Sequence, residues 1–289
     1  MLIICPTPIG NLDDVTPRQR SALEGADLIA CEDSRRTGKL LSLLGIERQD
    51  GSPRLVPYHE HNAREAVDEL VGELTRGRRV VLVSDAGTPA ISDPGYRLVR
   101  RAVEAQVEVT ALPGPVAAMV ALSASGLPTD SWQFYGFAPT SSDGRVATLE
   151  EADGAKMTSI YYESPKRIEA LLEDVVAVCG ADRAVCVGRE LTKMHEEYVR
   201  GSAEEVRREF AGRDSVRGEC VLVVGPGAAE SGDSAAIQVD ELIASMLDAG
   251  CRSRTIKDVV SQVHDVARSE MYDRIDEVRQ KSGQDPKGD

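Results

Sequence analysis

The sequence lacks the signatures that mark several common classes of protein. Its apolar runs are far too short to span a bilayer, so no membrane association is expected. Its first residues carry no basic segment and read as a core strand, so we expect no signal peptide. No glycine-rich dinucleotide fingerprint follows that strand, and no P-loop lysine motif occurs. These absences disfavour a Rossmann dinucleotide site and a P-loop NTPase.

Paired cysteines and metal-ligand spacings are also missing. None of the six cysteines forms a Cys-x-x-Cys pair, and most lie in or beside apolar stretches. This pattern is typical of buried free thiols in a reducing compartment, so we expect a cytoplasmic protein. The four histidines have no matching cysteine spacing, and we expect no metal site.

The chain has fewer basic than acidic residues. The chain has 34 Lys and Arg against 48 Asp and Glu, which gives a net charge of −14. This balance weighs against non-specific binding of nucleic acid, although a local basic surface remains open. Residues 34–39 and the group Arg97, Arg100 and Arg101 are candidates for such a surface, but a solvated helix face explains each equally well.

Strand and helix patterns alternate over residues 1–112, the predicted N-terminal lobe. Such alternation favours a parallel sheet covered on both faces. The predicted strands lie near 2–5, 27–31, 54–57, 80–84 and 107–112, and the predicted helices at 16–25, 35–44, 63–76 and 95–105.

The pattern changes in the predicted C-terminal lobe, residues 113–225. Several predicted strands follow one another there without a helix, which favours a mixed sheet. Residues 226–236 are small and polar and read as a linker. Residues 237–281 predict a small helical tail with nearly balanced charge, for which we expect a packing or docking role rather than DNA binding. The predicted fold class is therefore α/β, with two lobes and a tail.

Two loops rich in glycine and proline follow predicted strands, at 84–95 and 112–118. Ligands of open parallel sheets bind at the carboxyl ends of strands, and glycine lets the backbone approach a ligand closely. Either loop alone reads as an ordinary strand-to-helix turn. Together with the proline-containing first turn, 6–16, they indicate one ligand-binding edge.

Charged residues follow other predicted strands. Glu32 and Asp33 come after the second strand, where carboxylates can be catalytic, although helix capping explains Asp33 equally well. The loop 58–62, which contains His59, is a weak metal site and a better substrate-contact loop. The segments 163–167 and 189–193 each combine carboxylates with cations, and surface charge is the alternative explanation.

Eight motifs in order carry a resemblance to a known family. The chain resembles the tetrapyrrole methylase superfamily, and within it the branch that methylates small-subunit ribosomal RNA. The resemblance covers residues 2–225 and, more loosely, the tail. The motifs are TPIGNL at 7–12, EDSR at 32–35, VSDAGTP at 83–89, DPG at 93–95, LPGP at 112–115, SGLP at 125–128, YESP at 162–165 and RELTK at 189–193.

The resemblance implies a two-lobed homodimer that binds S-adenosylmethionine between its lobes. The implied substrate is 16S rRNA in the 30S subunit, methylated on the ribose 2′-hydroxyl of a decoding-region cytidine. A tetrapyrrole C-methyltransferase of the same fold is the alternative, and the acidic charge suits it somewhat better. The cofactor contacts carried over by motif are Pro8, Ser84, Asp85, Ala86, Gly87, Thr88, Ile91, Ser92, Pro113, Ala117, Tyr162 and Cys220.

A ribose hydroxyl is a poor nucleophile until its proton is removed, so a carboxylate is expected near it. The candidates for this role are Glu163, Asp33 and Glu32. One departure from the family concerns 140–153, which is acidic here where relatives carry a basic segment, so RNA contact lies elsewhere or the substrate differs. The candidate substrate-binding residues are Arg35, His59, Lys166, Arg167, Arg189 and Lys193.

Overall fold

A computed structural model describes residues 1–48, 51–59, 62–92, 94–227, 232–263 and 271–281. The chain divides into two units, Met1–Gly227 and Ala228–Asp289. Of the sequence motifs, Glu60, His61 and Asp93 lie outside the described residues, as do 228–231 of the predicted linker and 264–270 of the predicted tail.

The first sheet is five-stranded and parallel, in the order β3-β2-β4-β1-β5. Its strands are β1 (Leu2–Ile4), β2 (Leu28–Cys31), β3 (Arg54–Pro57), β4 (Val80–Leu82) and β5 (Val109–Ala111). A 3₁₀ turn (Leu12–Asp14) and the helices α1 (Pro17–Glu24), α2 (Ser34–Leu43), α3 (Ala63–Thr75) and α4 (Tyr96–Glu104) connect them.

The inner strands of this sheet are apolar throughout because both faces are covered. Leu2, Val80 and Leu82 belong to the core on one face, whereas Ile3 and Val81 belong to the core on the other. The parallel sheet predicted from the sequence is confirmed. Since all five strands run the same way, the loops after β1, β2 and β4 leave the sheet at one edge.

The second sheet is mixed, in the order β6-β7-β10-β8-β9. Only β6 and β7 pair in parallel, and the other neighbours are antiparallel. This confirms the predicted mixed sheet. Its strands are β6 (Trp132–Phe137), β7 (Thr158–Glu163), β8 (Ala184–Arg189), β9 (Glu197–Ser202) and β10 (Cys220–Val224), with helices α5 (Ala117–Ser125), α6 (Ser142–Gly154), α7 (Ile168–Cys179) and α8 (Ala203–Ala211).

One expectation for this sheet is wrong, because helix α6 separates β6 from β7. Within the fully described range 113–227, only β8 and β9 follow each other directly. Small and acidic residues give α6 little apolar periodicity, which hid it in the sequence. Only a few positions of α6, such as Leu149 and Ala152, are buried. Arg145 is also buried, and its Nε lies 2.5 Å from Asp174 Oδ2. Arg145 is the one basic residue of this segment, and its ion pair with Asp174 gives it a structural role.

The smaller unit is helical where it is described. Its helices are α9 (Gly232–Asp248), α10 (Ser253–Val263) and α11 (Met271–Lys281), so α9 begins within the residues predicted as linker. Ile243, Ile256 and Ile275 form part of a separate apolar core. No helix among the described residues of the chain is long and apolar enough to cross a membrane.

Candidate active site

Hydrogen bonds join the loops that follow β1, β4 and β5. Thr7 and Gly87 each donate a backbone N–H to the carbonyl of the other, at 2.9 and 3.0 Å. The Thr7 hydroxyl donates to the Ser84 carbonyl at 3.1 Å, and the Thr88 hydroxyl donates to the Pro115 carbonyl at 2.9 Å. The three loops therefore form one rigid assembly at the carboxyl edge of the sheet.

The middle loop has an unusual backbone path. Gly87 adopts a φ of 85°, and a Cβ there would lie 3.3 Å from Ile9 Cγ2 and 3.4 Å from the Pro115 carbonyl oxygen. Ala90 and Ser92 also have positive φ, at 69° and 59°. Left-handed conformations of non-glycine residues are strained, and such strain clusters at ligand-binding sites.

A cavity of about 460 Å³ lies between these loops and the second sheet. This volume is within the range of small-ligand sites. Nine predicted cofactor contacts line it together with Glu32 and Glu163. The nine are Asp85, Ala86, Gly87, Thr88, Ile91, Ser92, Ala117, Tyr162 and Cys220.

The remaining predicted cofactor contacts lie elsewhere. Pro8 and Ser84 line an adjoining cavity of about 200 Å³. Among the described residues, Pro113 is in the lining of neither cavity, but its carbonyl accepts a hydrogen bond from Gln19 Nε2 at 3.2 Å. This hydrogen bond holds the loop of Pro113 against α1.

Part of the cavity lining was not predicted from the sequence. Ile9, Ser164 and Pro165 lie within the motifs at 7–12 and 162–165, although no role was predicted for them. Arg36 follows the EDSR motif directly. Phe137, Val116, Glu219 and Val221 also line the cavity, and only their position beside motif residues could have indicated them.

Glu163 ends β7 and is buried, with 2 % of its surface exposed. Its Oε1 accepts hydrogen bonds from the Ser164 N–H at 2.6 Å and from Arg167 Nε at 2.8 Å, and Arg167 Nη2 lies 2.6 Å away. Its Oε2 is buried and has no hydrogen-bond partner among the described residues. Burying an unpaired carboxylate oxygen is costly, so a ligand that donates a hydrogen bond there would be favoured.

The other two candidate carboxylates differ in their surroundings. Glu32 lines the cavity, and burial raises the pKa of its carboxyl, with a further increase from the negative charge of Asp85. Asp33 caps the N-terminus of α2 and accepts hydrogen bonds from the Arg35 side chain at 3.1 and 2.8 Å. Hydrogen bonding to Arg35 lowers the pKa of Asp33 to about 2. Asp33 is not among the described residues that line either cavity.

Charged partners hold most of the predicted substrate-binding cations. Arg35 pairs with Asp33, Arg167 with Glu163, Arg189 with Glu197, and Lys193 with both Glu190 and Glu219. Lys166 is exposed, and the backbone N–H of His59 donates to Asn62 Oδ1 at 2.8 Å. None of these six residues is in the described lining of either cavity.

Second-sheet residues close the opposite wall. Cys220 of β10 is paired in register with Glu163 of β7. Burial raises the pKa of the Cys220 thiol to about 12, so it contributes an apolar surface and not a nucleophile. The Tyr162 hydroxyl accepts a hydrogen bond from the Ala118 N–H at 3.2 Å, which fixes the start of α5 against β7. No group of His, Cys, Asp or Glu suited to a metal ion occurs among the described residues.

A parallel sheet joined to a mixed sheet, with a cavity between them, defines a two-lobed α/β protein with a small-ligand site at the strand ends. The chain belongs to the family described as Tetrapyrrole (Corrin/Porphyrin) Methylases, whose model matches residues 1–207. The resemblance stated from the motifs is thereby confirmed.

Relatives and a solved structure agree with this family. A protein of Mesorhizobium japonicum named ribosomal RNA small subunit methyltransferase I is 39% identical over 98% of this chain and 94% of its own length. A protein of the same name from Halalkalibacterium halodurans is 47% identical over 78% of this chain and 76% of its own length. The crystal structure of the methyltransferase CobJ superposes with a TM-score of 0.59 at 20% identity, covering 78% of this chain and 94% of that one. At that identity the structure shows the fold alone.

Proposed function

We propose that this chain transfers a methyl group from S-adenosylmethionine to the ribose 2′-hydroxyl of a decoding-region cytidine in 16S rRNA. We further propose that it acts on the 30S subunit as a cytoplasmic homodimer. The names of the relatives at 39% and 47% identity support the RNA substrate. The observation that carries the proposal is a single cavity that brings together the loops of both glycine/proline motifs and two carboxylates, Glu32 and Glu163.

The cavity wall fits S-adenosylmethionine. This cofactor carries positive charge at its sulfonium and ammonium groups, and the described cavity lining has four carboxylates, Glu32, Asp85, Glu163 and Glu219, against one cation, Arg36. The unpartnered Oε2 of Glu163 would accept a hydrogen bond from the substrate hydroxyl beside the cofactor. Small residues, Ala86 and Gly87, leave backbone groups accessible, and Ile9 and Ile91 add apolar surface. When bound, the cofactor supplies an activated methyl group.

Glu163 is the proposed proton acceptor. Its Oε2 would take the proton of the 2′-hydroxyl while the hydroxyl oxygen bonds to the methyl carbon and the bond from that carbon to the sulfonium sulfur breaks, which would leave the spent cofactor as a neutral thioether. Arg167 holds the other oxygen, so the carboxylate is fixed in one orientation. Much of the rate of such a displacement comes from positioning. Asp33 suits this role less, because Arg35 engages its carboxylate and its pKa is low.

Glu32 is proposed to stabilise the positive charge of the cofactor. Burial and the charge of Asp85 raise the pKa of Glu32, while Arg36 and His59 oppose that increase. As the pH falls through this raised pKa, Glu32 loses its charge and the affinity for a cation should fall. Isothermal titration with S-adenosylmethionine, from neutral to mildly acidic pH, measures this dependence.

Glu32→Gln should bind the cofactor more weakly at neutral pH and with a flatter pH dependence than the wild type. The matched control is Glu65→Gln, which changes an exposed glutamate in the first turn of α3. If wild type and Glu32→Gln show the same pH dependence, Glu32 does not face the cofactor's charge.

The position of methylation can be tested in cells. Deleting the gene should remove ribose methylation at one decoding-region cytidine of 16S rRNA, as mapped by primer extension at low nucleotide concentration. The wild-type gene should restore the modification, and a Glu163→Gln gene should not. Retention of every ribose methylation in the deletion strain would reject the rRNA substrate.

A further inference from the structure

A second, smaller cavity adjoins the first. Its volume is about 200 Å³, and both cavities are lined by Arg36 and Asp85, so they meet at these residues. Its lining includes the polar residues Thr37 and Ser84 and the apolar residues Leu12, Leu40 and Leu43, together with Pro8. Pro8 and Ser84 are predicted cofactor contacts, but the mechanism proposed above gives Thr37 and the three leucines no role.

One face of helix α2 forms a wall of the smaller cavity. Arg36, Leu40 and Leu43 are spaced four and three residues apart, which places them on the same side of a helix. Leu43 is 60% exposed, and Leu12 across the cavity is 38% exposed. Large apolar side chains left in water beside a ligand site indicate a surface that a ligand covers.

Arg36 is the cation of this wall. Its Nη1 lies 3.3 Å from Asp85 Oδ2, and 69% of its side chain is exposed. An ion pair this exposed contributes little, so the guanidinium can exchange Asp85 for a ligand at small cost. This distinguishes Arg36 from the predicted cations Arg167 and Lys193, which form closer pairs with less exposed side chains.

We propose that the smaller cavity receives the base of the acceptor nucleotide, unstacked from single-stranded RNA. This inference rests on the proposed function. RNA-binding proteins recognise splayed bases by apolar or guanidinium contact with the ring and by polar contacts at its edge. The leucines would cover the ring, and Arg36 and Asp85 would face its edge. A carboxylate accepts from the exocyclic amine of cytosine, which agrees with a cytidine acceptor.

The size of the cavity supports one small ring. Its volume of about 200 Å³ is less than half the 460 Å³ of the larger cavity. A pyrimidine base is a single six-membered ring, whereas a tetrapyrrole contains four pyrrole rings. Because the cavities meet at Arg36 and Asp85, a base in the smaller cavity keeps its ribose near the border with the larger cavity, whose lining includes Glu32 and Glu163.

The test compares variants of exposed side chains, which should all fold. Arg36→Ala and Leu43→Ser are each expected to lower kcat/KM for 30S subunits by about tenfold or more, mainly through KM. The dissociation constant of Leu43→Ser for S-adenosylmethionine should stay within about twofold of wild type, because Leu43 lines only the smaller cavity among the described residues. The subunits come from a strain without the modification, and methyl transfer is measured with labelled cofactor.

Matched controls separate base recognition from general effects. Lys39→Ala removes a positive charge one turn along α2, outside the described lining of both cavities, and Val103→Ser changes an exposed apolar residue on α4. Both controls should keep wild-type kcat/KM. The base site is overturned if Arg36→Ala and Leu43→Ser lose no more than their controls. If the wild-type protein itself binds cofactor but does not methylate the subunits, the proposed function fails and the base site with it.

Discussion

Replacing Glu163 by glutamine should lower kcat for methyl transfer by roughly two to four orders of magnitude, the usual contribution of a positioned general base. Glutamine preserves the size of the side chain but has no carboxylate to accept the proton. The variant leaves Arg167 without its anionic partner, so its folding must be checked by thermal unfolding. Single-turnover kinetics on 30S subunits, with saturating S-adenosylmethionine, measure the chemical step.

The control for this variant is Glu169→Gln, which neutralises an exposed glutamate in the first turn of α7. It should keep wild-type kcat. A folded Glu163→Gln protein with a wild-type rate would show that Glu163 is not the base. Glu32, which lines the cavity and whose pKa is raised by burial, would then be the next candidate.

A large effect on stability is expected from Gly114→Ala. A Cβ at this position would lie 2.2 Å from Pro6 Cβ and 2.4 Å from Pro6 Cγ. The proline ring is part of the backbone and cannot rotate away, so the loop after β5 must shift. We expect the free energy of unfolding to fall by about 1–3 kcal/mol, as for other overpacked sites.

The same shift should weaken cofactor binding. The Pro115 carbonyl accepts the hydrogen bond from Thr88, and Ala117 lines the cavity, so moving the loop disturbs both. Urea unfolding and titration with S-adenosylmethionine measure the two effects. Gly72→Ala is the control, because a Cβ there, in the interior of α3, would meet no heavy atom within 4 Å beyond its chain neighbours and the backbone of its own helix. That variant should be more stable by roughly 0.5–1 kcal/mol. Equal stability of Gly114→Ala and wild type would contradict the packing described.

Local periodicity was enough to predict the first sheet. Its inner strands, such as Val80–Leu82, are continuous apolar runs because both faces are buried, and helices separate the strands along the chain. Helix α6 was missed because most of its surface is exposed and its anchoring depends on a distant partner. The pair formed by Arg145 with Asp174 joins α6 to α7 and leaves no local pattern.

For the candidate site, the motifs predicted which loops form it, but they did not predict which side chains line the cavities and which are engaged in ion pairs. Ser84–Pro89 and Tyr162–Pro165 contain residues that line the two cavities. The sequence could not show that Arg167 and Lys193 form ion pairs with carboxylates. It also could not show that Arg36 lines both cavities. Ion pairing depends on residues that are distant in the chain, such as Glu219 beside Lys193. The assignments of the cofactor contacts, of the general base and of the substrate-binding cations therefore stay predictions that the variants above test.

The most direct test of the account is methyl transfer by the purified protein. The protein is incubated with methyl-labelled S-adenosylmethionine and 30S subunits from a strain that lacks the modification, and the rRNA is digested and analysed by mass spectrometry. We expect one labelled methyl group per subunit, on the ribose of a cytidine in the decoding region. Label on a base, or no label on RNA from a protein that binds the cofactor, would contradict it.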